Sequence, residues 1–394
     1  MGRALRIGLY SPYFGATFGG GEKYLARCAR ALRDAFPQHL VELIGPVPPD
    51  RDRYARTLNV DLSGIELGST NRRVTPAHRW LNRVSVLRPL RNYALGLQAS
   101  RLTRGYDLFV GMAYAIPVRC AAPRGVVLCQ FPYQIRSRED LAGYQLIVVQ
   151  SEYVRSWVRR RWERDAAVVY PPIDAPAADP DWQAKRPMIL SVGRFIGHGH
   201  SKRQDLMVES FRRLLAQGLE GWELHLVGSV HRDAMHAGYY ERVRDLARGL
   251  PVTLHPDASY SEVQALYRQA SLYWHAAGFG VDADSDPAAL EHFGMTTAEA
   301  MAHGVVPVAI GRGGQVEVVH SGYDGYLWQE PGELEALTLE LADQPGLRRR
   351  LGEAARETSK NFSPERFAAR MLQTLGGVVR ELEDLRTPAP HSAG

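Results

Sequence analysis

Short apolar runs rich in β-branched residues alternate with segments of helical period along the chain. LRIGLY (5–10), HLVELIG (39–45), DLFVGM (107–112), GVVLCQF (125–131) and LIVVQS (146–151) have the length and composition of buried strands. Between them, GEKYLARCARALRDAF (21–36) and EYVRSWVRRRW (152–162) repeat apolar positions at helical spacing. A proline-rich stretch, VVYPPIDAPAADPDWQAKRP (168–187), interrupts the pattern and reads as a linker. Beyond it the alternation restarts, with strands at MILSVG (188–193), ELHLVG (223–228), VTLH (252–255), SLYWHA (271–276) and VVPVAI (305–310). Helices are expected near 203–217, 261–270, 297–303 and 332–344. Such alternation calls for parallel sheets with helices on both faces. The chain is therefore expected to be α/β, with two doubly wound, Rossmann-like domains facing a central cleft. Ligands in such sheets sit beyond the carboxyl ends of the strands.

A length of 394 residues agrees with two domains. The 45% hydrophobic and 23% charged residues are ordinary for a globular protein, so composition adds no special class. Cys28, Cys120 and Cys129 show no CxxC spacing, no run of about 18 apolar residues occurs, and MGRALRIGLYSP lacks a signal-peptide core. A cytoplasmic location is expected. Charge changes the picture more. The net value is +5, and no acid stands between Glu66 and Asp107, where Arg72, Arg73, Arg79, Arg83, Arg88, Arg91, Arg101 and Arg104 all fall. This basic segment (67–106) suits peripheral contact with an anionic membrane at its inner face, or a phosphorylated substrate. Nucleic acid is not an expected partner, because no helix-turn-helix, zinc-finger or RNA-binding signature accompanies the arginines.

Candidate chemistry lies in the loops that follow strands. Gly19-Gly20-Gly21 follows the first strand and opens a helix, where free N–H groups and the dipole favour an anion. It matches neither GxGxxG nor GxxxxGK[ST]. In the second half, SVGRF runs into IGHGHSK, so Arg194 and Lys202 flank one loop; a guanidinium and an ammonium together suit a diphosphate. His198 and His200 have no third metal ligand in sequence reach and are expected in a polar loop. Asp282, Asp284 and Asp286 imitate an EF-hand start, but Pro287 and Phe293 occupy its Gly and Glu positions, so no metal is expected. Last comes EHFGMTTAEAMAHG (291–304), with Glu291 before a turn and Glu299 beyond it. A helix capped by Thr296 or Thr297 would put Glu299 in its first turn and offer the N–H groups of Gly294, Met295 and Thr296 to a phosphate. Two acids on either side of a phosphate match the outline of a nucleotide-sugar.

EHFGMTTAEAMAHGVVPVAIGRGGQVEVV (291–319) resembles the Glu-x7-Glu region of the retaining glycosyltransferases of family 4, which have the GT-B fold. SVGRF with Lys202, FGGGEKYLARCARAL, and SEYVRSWV…VVYPPID agree with that family in order and place. The resemblance implies an acceptor-side domain at 1–170, a linker at 171–187, a nucleotide-sugar domain at 188–363, and a helix at 364–386 that returns to the first domain. It implies that Glu291 binds donor-sugar hydroxyls, Glu299 the ribose, and Arg194 with Lys202 the diphosphate. Gly20, Gly21, Gly294, Met295 and Thr296 would approach donor or acceptor. Gln130 stands where many relatives carry a histidine beside the donor sugar, and a glutamine cannot titrate there. The implied activity moves a hexose from a GDP- or UDP-linked donor to a glycan or lipid-linked acceptor, without a cofactor or metal. The EHFG and GGQ stretches look like those of GDP-mannose enzymes. A nucleotide-sugar 2-epimerase on the same fold and a non-catalytic nucleotide-sugar-binding subunit are the alternatives.

Overall fold

The computed structural model describes every residue except 1–2, 16–18, 48, 71–95, 114–117, 134–137, 177, 231–237 and 387–394. The chain divides into two compact units: Met1–Pro172 with Pro364–Gly394, and Ile173–Ser363.

In the first unit, β1 (Arg6–Tyr10), β2 (Leu40–Gly45), β3 (Glu66–Ser69), β4 (Leu108–Ala113), β5 (Arg124–Cys129), β6 (Leu146–Val149) and β7 (Ala167–Val168) form one parallel sheet. Its order is β3-β2-β1-β4-β5-β6-β7. Helices α1 (Gly20–Ala35), α2 (Arg51–Leu58) and α3 (Glu152–Trp162) connect the strands. Every residue of β4 is buried, as a strand covered on both faces requires. α3 starts where Ser151 Oγ accepts from Val154 N at 3.1 Å, and it ends at Glu163 in a left-handed conformation.

The second unit repeats the plan. β8 (Met188–Val192), β9 (Glu223–Gly228), β10 (Val252–Pro256), β11 (Leu272–His275), β12 (Val306–Ile310) and β13 (Tyr326–Trp328) pair in parallel, in the order β10-β9-β8-β11-β12-β13. Around them lie α4 (Gln204–Ala216), α5 (Tyr239–Leu246), α6 (Tyr260–Gln269), α7 (Met295–Ala302), α8 (Gln315–Val318), α9 (Pro331–Asp343) and α10 (Pro345–Ser359). Strand order reverses between β8 and β11, so the loops leaving their carboxyl ends emerge side by side. The last helix, α11 (Pro364–Arg386), buries Phe367, Met371, Leu375, Val379 and Leu382 in the core of the first unit, with Phe367 edge-on to Tyr24 at 5.0 Å.

Two details differ from the sequence reading. From Ile173 onward the proline-rich stretch belongs to the second unit and is not a free spacer to 187. Ile173 N donates to Phe362 O at 2.9 Å, and Lys185 Nζ donates to Tyr267 O at 3.2 Å and His303 O at 2.9 Å. Prolines keep this stretch out of the sheet, yet side chains still anchor it. Helix α7 also starts earlier than expected. Its N-cap is Gly294 at φ 111°, not a threonine.

Candidate active site

The switch point between β8 and β11 gathers one carboxylate and four basic groups. Glu291 is buried, and three nitrogens converge on its Oε2. Lys202 Nζ forms an ion pair with it, His275 Nε2 lies at 3.1 Å, and His200 Nε2 lies at 3.4 Å. Burial alone would raise the Glu291 carboxyl, but Lys202, then His200, then His275 hold it well below the usual carboxylate range. Burial pushes His275 down to about 4 and His292 down to about 3. It also lowers His200, with Lys202 adding to the effect. His200 stacks on His292 with ring centres 5.3 Å apart. Near neutral pH the cluster is therefore an ionised carboxylate, an ammonium and neutral imidazoles.

Backbone geometry fixes Glu291 in place. Gly314 N donates to Glu291 O at 2.7 Å, so the loop after β12 lies directly on the EHF backbone. Gly313 has φ 62°, and a Cβ there would collide with that same carbonyl oxygen. At Gly294 a Cβ would stand 2.5 Å from Gln315 Nε2, so its left-handed conformation and its surroundings both exclude a side chain.

Helix α7 opens beside this cluster. Its first backbone bond runs from Ala298 N to Gly294 O at 3.0 Å, so among the described residues the N–H groups of Met295, Thr296 and Thr297 are the open donors of a helix end. Starting at Met295 moves Glu299 into the second turn, a correction to the first-turn position expected with a threonine cap. Glu299 Oε2 lies 3.4 Å from Tyr267 Oη, which also reaches Thr296 O at 3.1 Å. At the other end of the helix, His303 Nδ1 donates to Glu299 O at 2.8 Å, and Lys185, pushed down to about 7 by burial, donates to His303 O. Among the described residues, Thr297 Oγ1 and both amide atoms of Gln315 are buried without a hydrogen-bond partner.

The remaining candidates fall in several places. Arg194 is exposed just past β8, near enough to His200 to lower its pKa. Gly20, Gly21 and Gln130 belong to the first unit. Gly20 opens α1, whose end already carries a carboxylate: Glu22 Oε2 accepts from Gly19 N at 2.9 Å, and Glu22 Oε1 lies 3.4 Å from Ser11 Oγ. A second anion there would be repelled, which favours a hydroxyl-bearing ligand over a phosphate. Gln130 follows β5, and its carbonyl accepts from Gln150 Nε2 at 3.3 Å. Asp282 Oδ1 accepts from Asp284 N at 3.1 Å in a local turn. Among the described residues, no group of three His, Cys, Asp or Glu could hold a metal ion.

Sequence reasoning missed two of the groups on Glu291. His198 is exposed as expected of a polar loop, whereas His200 turns inward to the carboxylate. His275 is hidden in the apolar run SLYWHA, and its only signal is an ionisable residue at a strand's carboxyl end. Of the basic segment, Arg72, Arg73, Arg79, Arg83, Arg88 and Arg91 lie outside the described residues, while Arg101 and Arg104 are exposed. No helix among the described residues is long and apolar enough to cross a membrane.

Residues 174–358 match the family described as Glycosyl transferases group 1. The chain is 25% identical over 261 residues to the GDP-Man:Man(3)GlcNAc(2)-PP-Dol alpha-1,2-mannosyltransferase of Dictyostelium discoideum, covering 60% of this chain and 48% of the relative. It thus spans under half the length of that curated relative. Its fold is similar to that of sucrose-phosphate synthase from Thermosynechococcus elongatus, with TM-score 0.69, 18% identity, and coverage of 97% of this chain and 100% of the other. It is also similar to Anabaena HepE in complex with UDP and glucose, with TM-score 0.65, 15% identity, and coverage of 94% and 99%. Residues 174–358 are thus similar to the group 1 glycosyl transferases, and the chain has the two-sheet α/β fold of solved glycosyltransferases.

Proposed function

We propose that this protein transfers a hexosyl group, mannose being favoured, from a nucleoside-diphosphate sugar to a hydroxyl of a glycan or lipid-linked acceptor, with retention of configuration. The observation that carries the reading is the ionised Glu291, held at the switch point beside the open end of α7. In this reading Glu291 binds a donor-sugar hydroxyl and Glu299 the ribose. Arg194, Lys202 and the N–H groups of Gly294, Met295 and Thr296 face the diphosphate. Arg194 supplies a full positive charge and the helix end about +0.5, while Lys202 divides its charge between Glu291 and the leaving group. Gly20, Gly21 and Gln130 are further residues proposed to bind substrate. The mannosyltransferase relative, which has GDP-mannose in its name, supports the choice of donor.

Glu291 is a poor base and a poor nucleophile, because its charge is already committed to Lys202 and two imidazoles. We therefore favour same-face attack. The anomeric carbon–phosphate oxygen bond breaks, the acceptor oxygen bonds to that carbon on the same face, and the acceptor proton passes to the departing phosphate oxygen. No cofactor takes part, and the cations replace a metal. The acid-free arginine segment further supports peripheral contact with anionic membrane. Changing Arg72, Arg73 and Arg79 to serine should weaken binding to phosphatidylserine vesicles by about 1 kcal/mol per charge; unaltered binding at low salt would remove that contact from the reading.

The deciding experiment follows release of the nucleoside diphosphate from GDP-mannose and from UDP-sugars in EDTA. Full turnover is expected, along with a severe loss in Lys202→Ala that magnesium or manganese does not restore. Turnover that needs a metal and is abolished by Asp284→Ala would reverse the assignment of charge.

A further inference from the structure

His275 occupies the last position of β11, 2% exposed, in a run (Leu272, Tyr273, Trp274) that is otherwise apolar core. A histidine is a costly way to fill such a place, since each buried ring nitrogen without a partner carries a desolvation penalty. Its Nδ1 is buried and has no partner among the described residues. Its Nε2 lies 3.1 Å from Glu291 Oε2. An ionised carboxylate only accepts, so the nitrogen facing it must carry the proton, and the ring is the neutral Nε2–H tautomer.

The other groups around Glu291 come from segments outside the sheet. Lys202 and His200 both come from the loop after β8, as does Arg194, and His292 is next to Glu291 in its own segment. An ammonium is a rotatable point charge, and the reading above asks Lys202 to serve the diphosphate as well. Among the described residues, all three contacts on Glu291 go to Oε2 and none to Oε1.

On the reading of the chain as a nucleotide-sugar transferase, we infer that His275 is a positioning residue: its strand-anchored Nε2–H holds Glu291 Oε2, so that Oε1 is the oxygen presented to the donor sugar. A glutamine can place an amide N–H near the position of Nε2, whereas phenylalanine fills the same space without a donor.

The test compares His275→Phe and His275→Gln with the parent in release of GDP from GDP-mannose, with GDP-induced melting shifts as the measure of folding and nucleotide binding. His275→Phe should lower kcat by roughly ten- to a hundred-fold while GDP binding stays within about twofold, and His275→Gln should recover to within about fivefold of the parent. Parent-like kcat in the phenylalanine variant, or an equal loss in a folded glutamine variant, would overturn the inference. Nitrogen-15 spectra of the histidine-labelled parent provide a second readout that does not depend on the variants folding. The expected signal is a neutral Nε2–H ring from pH 5 to 8; an Nδ1–H ring or titration near 6.5 would also overturn it. A parent that turns over no nucleotide-sugar would sink the functional reading instead, and the spectra would still decide the role of His275.

Discussion

At the scale of single residues, the Lys202–Glu291 pair makes an asymmetric prediction. Lys202→Met leaves a buried carboxylate with only neutral imidazoles beside it and should destabilise the second unit by about 3 kcal/mol. Adding Glu291→Gln removes the stranded charge, so the double variant should recover most of that loss. Urea unfolding followed through Trp274 and Trp328, both buried in this unit, would measure the two values. A double variant no more stable than Lys202→Met would mean that the pair is not the controlling interaction. The acids behave differently towards ligands. Glu299→Ala should weaken binding of GDP or UDP by roughly 1.5–3 kcal/mol, the worth of hydrogen bonds to a charged group. Glu291→Ala should spare that binding and damage turnover. Isothermal titration with both variants would expose an error in this division of labour.

At the scale of elements, helix α7 depends on the loop laid against its start. Gly294→Ala must adopt a left-handed conformation that costs about 1–2 kcal/mol, and it must also displace Gln315. Gln315 itself carries two buried amide atoms that have no partner among the described residues. Its replacement by Met removes that penalty and should be neutral or stabilising by about 1 kcal/mol, even though it enlarges no contact. Thermal unfolding would test both. A clear destabilisation by Gln315→Met would indicate that the amide has partners in solution that offset its burial. The glycines in EHFG and GGQ are readable in the sequence, but their mutual contact is not, because the chain says nothing about which two loops will touch.

At the scale of the molecule, several buried imidazoles set an acid limit on stability. His275, His292 and His303 are pushed down to about 4, about 3 and about 4, in each case mainly by burial. Below about 6.5 the unfolded chain takes up protons that these folded rings refuse, so stability should fall as pH drops from about 6.5 toward 4. Glu291 acts in the same direction at lower pH. Its depressed carboxyl contributes stability that is present above the unfolded value and is lost as pH falls through the folded one. The second unit should therefore lose on the order of several kcal/mol between pH 7 and 4. Urea midpoints that stay flat over this range would contradict the burial of the three rings.

The sequence alone determined the α/β class, the parallel sheets and most strand positions, because a strand buried on both faces must be apolar throughout and needs no partner to be recognised. It also carried the spacing of Glu291 and Glu299 and the cations after β8, since each set lies within one short continuous stretch of chain. Tertiary structure alone decided what meets what. Lys202 and Glu291 are 89 positions apart, and His275 precedes Glu291 by 16, yet all three share one carboxylate oxygen. The edge strands β3, β7 and β13 are only two to four residues long, too short to stand out as strands in the sequence, and pairing with a neighbouring strand decides them. Likewise, the turn of α7 that carries Glu299 was decided by Gly294, whose conformation depends on the loop packed against it. Local pattern records what a residue needs from its own element, while convergence depends on contacts that only the folded chain creates.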